Sequence, residues 1–161
     1  MKKIILNPII IFIIGAGLGI LSKMLDIYTS NLGNIFSQMA IWILFGVLIS
    51  IYSETKKKAM LNMFLFCVGM LITYYITAEY TNSVYGWAFI KGWSIFACVS
   101  PVFAYFTWIT KEKGVFPKIL SVGIILVSIL SSIILFHKLR IYDFIIDAIL
   151  LYFLFIKKIN R

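Results

Sequence analysis

Long apolar segments, separated by short polar ones, fill most of this sequence. Most of them reach the roughly 20 residues that an α-helix needs to cross the hydrocarbon core of a bilayer. Pro8 and Pro117 come near the start of two segments, in the first-turn position where a helix tolerates proline. The pattern predicts an all-α fold, a single polytopic membrane bundle over residues 1–161. The six predicted transmembrane helices span about residues 4–22, 35–53, 59–78, 87–109, 117–136 and 141–156.

The composition indicates that lipid is the solvent of this chain. Of its 161 residues, 62% are hydrophobic and 13% are charged, whereas a soluble domain has about half apolar and a quarter charged residues. The net charge of +9 does not indicate a nucleic-acid partner, because the basic residues form short clusters between apolar segments. Cys67 and Cys98 fall inside apolar segments, where cysteine behaves as a small hydrophobic residue.

The N-terminus allows two interpretations. Lys2 and Lys3 precede an apolar run over residues 4–21, which is the arrangement of a secretory signal peptide. The run is long enough to span a bilayer, and no small-x-small cleavage site follows it near Lys23 and Asp26. We therefore expect a retained first transmembrane helix.

Lysine and arginine are more numerous in every second segment that connects the predicted helices. Positive residues concentrate on the cytoplasmic side of membrane proteins. With the N-terminus inside, eleven basic residues lie on the inner side and four on the outer side. The inner ones are Lys2, Lys3, Lys56, Lys57, Lys58, Lys111, Lys113, Lys118, Lys157, Lys158 and Arg161, and the outer ones are Lys23, Lys91, Lys138 and Arg140. This split predicts that both termini are cytoplasmic, and the excess of Ile and Lys suggests a bacterial cytoplasmic membrane.

Small and polar residues recur at helical spacing on three predicted helices, as they do where membrane helices pack closely. The sets are Gly15, Gly19, Ser22 and Asp26 on the first helix, Asn62, Gly69, Thr73 and Thr77 on the third, and Ser121, Ser128 and Ser132 on the fifth. One interpretation is that these faces form seams inside the bundle. The other is that Gly15 and Gly19 dock a partner protein.

Pro101 lies near the middle of the fourth predicted helix, after Ser100. Proline removes one backbone hydrogen bond and leaves the carbonyl of Ala97 without its helical donor. Membrane helices tolerate this where a hydroxyl or a neighbouring helix satisfies the carbonyl. A static kink is the expectation, and a hinge or a break that binds a ligand is the alternative.

Three charged residues fall inside predicted helices, where ionised side chains are costly and often functional. Asp143 and Asp147 lie four residues apart on one face of the sixth helix. Asp147 lies about 9 Å below the outer boundary, and Lys91 of the fourth helix about 6 Å below it, at the helical rise per residue. We expect the fourth and sixth helices to be neighbours joined by a Lys91–Asp147 pair. The alternatives are side chains that reach up to water, and a solute or ion site lined by Lys91, Asp143 and Asp147.

Sequence motifs of catalysis are weak. The one histidine, His137, lies at a helix end, and no HExxH, CxxC or glycine-rich phosphate loop occurs. Two acids on different helices at the bilayer centre, the arrangement of intramembrane aspartyl proteases, are not predicted. We expect neither an enzyme nor a cofactor or metal site.

Several short motifs resemble those of a family of small multi-span bacterial membrane proteins of unknown function. They are Gly15-Ala-Gly-Leu-Gly19, Lys23-Met-Leu-Asp26, Leu32-Gly-Asn34, Asn62-Met-Phe, Tyr74-Tyr75 and Ser100-Pro101. The chain is also loosely similar to the substrate-binding components of energy-coupling-factor vitamin transporters, which have six helices and both termini inside. That resemblance implies that Gly15, Ala16 and Gly19 dock a transport partner, and that the long first outer loop covers a ligand.

These observations favour a membrane protein that binds, or helps to transport, a small solute through an outward-facing polar pocket lined by Lys91, Asp143 and Asp147. The alternative is a membrane subunit or immunity-type interaction protein without a ligand. The predicted partners are the lipid bilayer, a small solute and other membrane subunits.

The predicted topology is testable by labelling single cysteines in a background without Cys67 and Cys98. A membrane-impermeant thiol reagent added outside should label cysteines placed at Asn31, Asn82 and Lys138, and should not label those at Lys57 and Glu112, because positive residues stay inside. Strong outside labelling at Lys57 would overturn the topology.

Overall fold

The computed structural model describes residues 6–29, 35–36, 39–83, 86–137 and 139–159, and it is all-helical over them. The predicted all-α fold is confirmed to that extent. Lys2, Lys3, Asn31, Lys138 and Arg161 lie outside the described residues. The helices are α1 (Pro8–Tyr28), α2 (Met39–Tyr52), α3 (Lys56–Tyr80), α4 (Trp87–Ile109), α5 (Val115–Phe136) and α6 (Ile141–Leu151), which continues as a π-helical turn (Tyr152–Ile156).

Four helices, α1, α3, α4 and α5, are long and apolar enough to cross a membrane. Each has at least 20 residues in its apolar span, which matches the roughly 30 Å hydrocarbon core at 1.5 Å per residue. The chain therefore has the helices of a membrane protein. The other two helices are shorter, so their length does not by itself identify them as spans.

Helix α2 lies at the centre of the bundle. Seven of its 14 residues are buried, and it packs against α3, α4, α5 and α6. Its sequence explains this position, because a helix that is apolar on all sides has no face that favours water. The core around it includes Trp42, Phe66 and Leu150.

Helix α1 is six residues longer at its C-terminal end than the predicted Ser22, since it ends at Tyr28. The predicted end of the first helix at Ser22 is therefore too early, because Lys23 and Asp26 also belong to the helix. Both lie in the helix, where Lys23 Nζ is 3.1 Å from Asp26 Oδ2. Residues three apart face each other on a helix, so continuing the helix pairs these two charges.

Helices α1 and α3 run parallel and touch backbone to backbone. A Cβ atom at Gly15 would overlap the carbonyl oxygen of Phe66, and one at Gly19 would overlap that of Met70. From the other side, a Cβ atom at Gly69 would lie 2.6 Å from the carbonyl oxygen of Phe12. Such close approach is how small residues hold membrane helices together. We call Gly15, Gly19 and Gly69 the glycine seam.

The glycine seam confirms the prediction of internal packing faces. Gly15 and Gly19 are buried against α3, and the Ala16 carbonyl accepts a hydrogen bond of 2.7 Å from Thr73 Oγ1. Helix α3 covers Gly15 and Gly19, which favours the internal seam, and docking of a partner on Gly15, Ala16 and Gly19 stays a prediction. The seams predicted from Asn62 and from Ser121, Ser128 and Ser132 are also buried.

Pro101 does not interrupt α4, which is continuous from Trp87 to Ile109. The Ala97 carbonyl, which loses its helical donor to the proline ring, accepts a hydrogen bond of 2.8 Å from Ser100 Oγ. The hydroxyl next to the proline therefore supplies the missing donor. This bond supports the static interpretation of Pro101 over a ligand-binding break.

One end of the bundle gathers three of the lysine-bearing segments. Lys56 Nζ lies 3.0 Å from Glu112 Oε1, which joins the start of α3 to the α4–α5 connection. Lys111 Nζ donates 2.9 Å hydrogen bonds to the carbonyls of Leu154 and Lys157 at the end of the π-helical turn. A cation is favourable there because a helix C-terminus carries partial negative charge. We call this the lysine-rich end.

Alanine substitutions along α1 test the glycine seam. Gly15→Ala should lower the free energy of unfolding by about 1–3 kcal/mol, because the added methyl forces two backbones apart. Gly17→Ala is the matched control, since its Cβ would meet no atom within 4 Å, and it should leave stability unchanged or raise it by about 0.5–1 kcal/mol. Thermal unfolding in a mild detergent measures both. Equal stability of the two variants would contradict the seam.

Candidate functional site

The two acids of α6 face the serines of α5. Ser128 Oγ donates a 2.7 Å hydrogen bond to Asp147 Oδ1, and Ser132 Oγ donates a 3.2 Å bond to Asp143 Oδ1. Asp143 Oδ2 also accepts from the backbone N–H of Arg140 at 2.8 Å, which caps the start of α6. Hydrogen bonds of this kind satisfy buried carboxylates. These hydrogen bonds join α5 to α6, and we call them the α5–α6 zipper.

The sequence contains a signal for this zipper that the sequence prediction missed. Ser128 and Ser132 are four residues apart, as are Asp143 and Asp147, and the partners Ser128–Asp147 and Ser132–Asp143 lie symmetrically about one point in the connection, between positions 137 and 138. In an antiparallel helical hairpin, residues equidistant from the loop lie opposite each other. Serine was interpreted only as a small packing residue, so its role as the donor to the acids was not recognised.

Lys91 lies away from these acids. Its side chain is exposed, and among the described ion pairs it has no partner. In the described part of the chain α4 packs mainly on α3 and α2, and α6 on α2 and α5. The predicted Lys91–Asp147 pair is therefore wrong, and α4 and α6 are not among the helix pairs that pack closely within the described residues. That Lys91, Asp143 and Asp147 bind a solute stays a prediction, and none of the three lines either of the two cavities described below.

A cavity of about 530 Å³ opens at the end of the bundle opposite the lysine-rich end. The C-terminal halves of α1 and α3 and the N-terminal halves of α2 and α4 form its walls. Seven of its thirteen described lining residues are aromatic, and the others include Ser22, Asp26 and Gly92. The aromatic ones are Phe36, Trp42, Tyr74, Tyr75, Phe89, Trp93 and Phe96. We call this space the aromatic cavity.

Asp26 is the only acidic or basic side chain among the described residues that line the aromatic cavity. Its side chain is 45% exposed, whereas that of its partner Lys23 is only 4% exposed. The Lys23 ammonium lies behind the cavity wall, 5.2 Å from the centroid of the Tyr74 ring, a cation–π distance. The ion pair therefore presents its carboxylate to the cavity and buries its ammonium against α3.

A second cavity of about 490 Å³ adjoins the first. It lies between α2, α4 and α5, and it shares Met39, Trp42 and Phe96 with the aromatic cavity. Its hydroxyl groups are few, and Ser50 Oγ and Ser100 Oγ donate to carbonyls of their own helices. We call this apolar space the lateral groove.

Comparison with protein-family models gives one match, to a family of unknown function, DUF6518, over residues 1–135. The chain belongs to DUF6518. All lining residues of the aromatic cavity fall within the part that matches DUF6518, whereas Asp143 and Asp147 lie beyond it. The expected resemblance to a family of unknown function is confirmed. Neither the curated proteins nor the solved structures gave a match.

DUF6518 carries no assigned activity, so the function of this chain has to be argued from its own geometry. Within the described residues, the aromatic cavity combines a concave shape, a small number of polar groups and a charged side chain that reaches it. These are the features of a small-molecule site. The α5–α6 zipper has satisfied hydrogen bonds and resembles a packing device.

A double-mutant cycle distinguishes the zipper from the predicted ion pair. Ser128→Ala and Asp147→Ala should be coupled by about 0.5–3 kcal/mol in unfolding free energy, because the residues share one hydrogen bond. Lys91→Ala and Asp147→Ala should add within about 0.5 kcal/mol, as distant sites do. Unfolding in mild detergent gives these energies, and coupling only in the second cycle would restore the ion pair.

Proposed function

We propose that this chain is a non-enzymatic protein of the bacterial cytoplasmic membrane whose aromatic cavity binds a small organic cation from the outer side. In this proposal all six helices lie across the membrane and both termini are cytoplasmic. Binding is the step that capture or transport of a solute requires. The observation that carries the proposal is the exposed Asp26 carboxylate in an aromatic-lined cavity.

The position of the lysines supports the proposed topology. The lysine-rich end joins the α2–α3 connection, the α4–α5 connection and the end of the chain through Lys56, Glu112 and Lys111. These are the segments that the charge bias assigns to the cytoplasm. The aromatic cavity lies at the other end, so in this topology it faces outward.

The size and the lining of the aromatic cavity support binding. Ligand sites for small molecules measure about 300–1,000 Å³ and are mostly apolar with a few placed polar groups. The aromatic cavity, at about 530 Å³, falls in this range. Its polar groups lie on separate helices, Ser22 and Asp26 on α1 and Tyr74 and Tyr75 on α3, so a bound molecule would contact both.

The chemistry of the lining supports a cationic ligand. Aromatic rings attract cations through the negative potential of their faces, and clusters of rings recognise quaternary ammonium groups. Asp26 adds a carboxylate on the cavity side, and the balancing charge of Lys23 is buried behind it. Phe89 and Trp93 of α4 line the same cavity as Asp26. A solute anion would meet this carboxylate and the faces of the rings, both of which repel it.

Ligand-induced stabilisation of the purified protein in lipid nanodiscs tests the proposal. Choline and tetramethylammonium should raise the melting temperature, with a stabilisation that grows to about 2.7 kcal/mol at a hundredfold excess over Kd. The uncharged carbon analogue of choline, dimethylbutanol, is the matched control and should have little effect, because it gains neither the carboxylate nor the cation–π attraction.

Two variants locate the binding. Asp26→Asn should weaken choline binding about tenfold or more, since it removes the negative charge that attracts the ammonium group, which has no N–H to donate. Because that change also leaves Lys23 without its ion pair, Gly92→Leu provides a second variant: Gly92 lines the cavity and its Cβ would meet no atom within 4 Å. Leucine there should fill the cavity and abolish binding, while Gly17→Leu on the far face of α1 should not. If no cation stabilises the parent protein, the interaction-subunit alternative replaces this proposal.

A further inference from the structure

The lateral groove continues the aromatic cavity into the apolar part of the bundle. Met39, Trp42 and Phe96 line both spaces, so a molecule in one cavity borders directly on the other. Beyond these three residues the lining of the groove is mostly aliphatic and phenyl groups of α2, α4 and α5, with the hydroxyl groups of Ser50, Ser100 and Thr107 among them. The two spaces together have the polarity of an amphiphile: a charged aromatic part at one end and an apolar part that extends from it.

The groove is open to the side of the bundle. Its rim residues Phe103 and Phe106 on α4 are 53% and 40% exposed, and Ile119 and Val127 on α5 are 61% and 57% exposed. Helices α4 and α5 touch only lightly, because α4 packs mainly on α3 and α2. In a membrane this side faces lipid, so an alkyl chain can enter the groove without passing through water.

The length of the groove fits one alkyl chain. Along α4 it extends from Phe96 to Thr107, which is about 16 Å at the helical rise per residue. Half of a roughly 30 Å hydrocarbon core is about 15 Å, the depth of the acyl chains of one leaflet. The groove therefore has about the length of the acyl-chain region of one leaflet, and on α4 it lies in the half of the helix toward the lysine-rich end.

We infer that the ligand of this protein is a cationic amphiphile, with its ammonium head in the aromatic cavity beside Asp26 and a single alkyl chain in the lateral groove. This inference rests on the proposed function, because it places the head in the same cavity. The negative charge of Asp26 favours a cation. Because the groove continues from the same cavity, an alkyl chain that fills it can belong to the same molecule. An ordinary membrane lipid chain would use the groove without the aromatic cavity.

A series of alkyltrimethylammonium ions tests the inference in nanodiscs. The probes carry methyl, butyl, octyl and dodecyl chains, and their affinities are measured by thermal stabilisation against the aqueous concentration. The parent protein should bind the octyl compound about tenfold or more tightly than tetramethylammonium, because its methylene groups become buried. A neutral octyl glycoside is the control for chain binding without a cation, and it should bind at least about tenfold more weakly than the octyl cation.

Gly123→Leu should remove the gain in affinity that the alkyl chain of the octyl compound provides. Gly123 lines the groove, and its Cβ would meet no atom within 4 Å, so leucine projects into open space there. Tetramethylammonium should bind this variant as it binds the parent. Gly17→Leu is the matched control, since Gly17 is equally unobstructed but lies outside both cavities, and it should keep the full gain. Partition of the probes into the nanodisc is common to all three proteins and therefore cancels.

The outcomes separate this inference from the proposed function. Suppose that tetramethylammonium binds, but that the octyl compound binds no more tightly, or keeps its higher affinity in Gly123→Leu. The amphiphile is then excluded and the organic-cation site stands. If the neutral glycoside binds as tightly as the octyl cation, the groove is a general lipid site and the inference is wrong. If no cation of any chain length binds the parent, the proposed function and this inference are both wrong.

Discussion

The glycine seam between α1 and α3 is the contact on which the rest of this structure depends. Lipid provides no hydrophobic force between helices, so packing and hydrogen bonds have to hold them together. Gly15, Gly19 and Gly69 let the two backbones meet, and Thr73 adds a hydrogen bond from its hydroxyl to the Ala16 carbonyl. Any side chain at these positions would separate the helices and remove that bond.

The same seam also determines the position of the candidate site, which lies next to it toward the C-terminal ends of α1 and α3. Because α1 and α3 remain in contact up to Gly19, the next turn of α1 places Lys23 against the Tyr74 ring of α3. Burying the ammonium there leaves its partner, Asp26, at the edge of the cavity with an exposed carboxylate. The charge that would recognise a ligand is thus held by helix packing, and α2 and α4 supply the aromatic walls around it.

The periodicity of the sequence predicted most of the fold and little of the site. Apolar runs located the helices because their length is set by the bilayer, and small residues at helical spacing indicated which faces of α1 and α3 are buried, but not that these two helices meet. The end of α1 was missed because Lys23 and Asp26 were treated as charges that need water, although each satisfies the other inside the helix. The partners of Asp143 and Asp147 are not predicted because Lys91, as an opposite charge, is the more obvious partner than a serine. The hydrogen bonds to the two acids come from serines of the neighbouring helix, whereas Lys91 belongs to a helix that packs elsewhere. Cavities depend on how helices diverge, which periodicity does not encode.

The charge selectivity of thiol modification inside the aromatic cavity tests the central claim most directly. The measurement places a cysteine at Tyr75, which lines the same cavity as Asp26, in a chain without Cys67 and Cys98. Methanethiosulfonate reagents of similar size are then added outside intact cells. The account predicts that the trimethylammonium reagent modifies this cysteine faster than the sulfonate reagent, relative to their rates with a free thiol, and that Asp26→Asn abolishes the preference. Absence of modification from outside, or faster reaction with the sulfonate reagent, would contradict an outward cavity that selects cations.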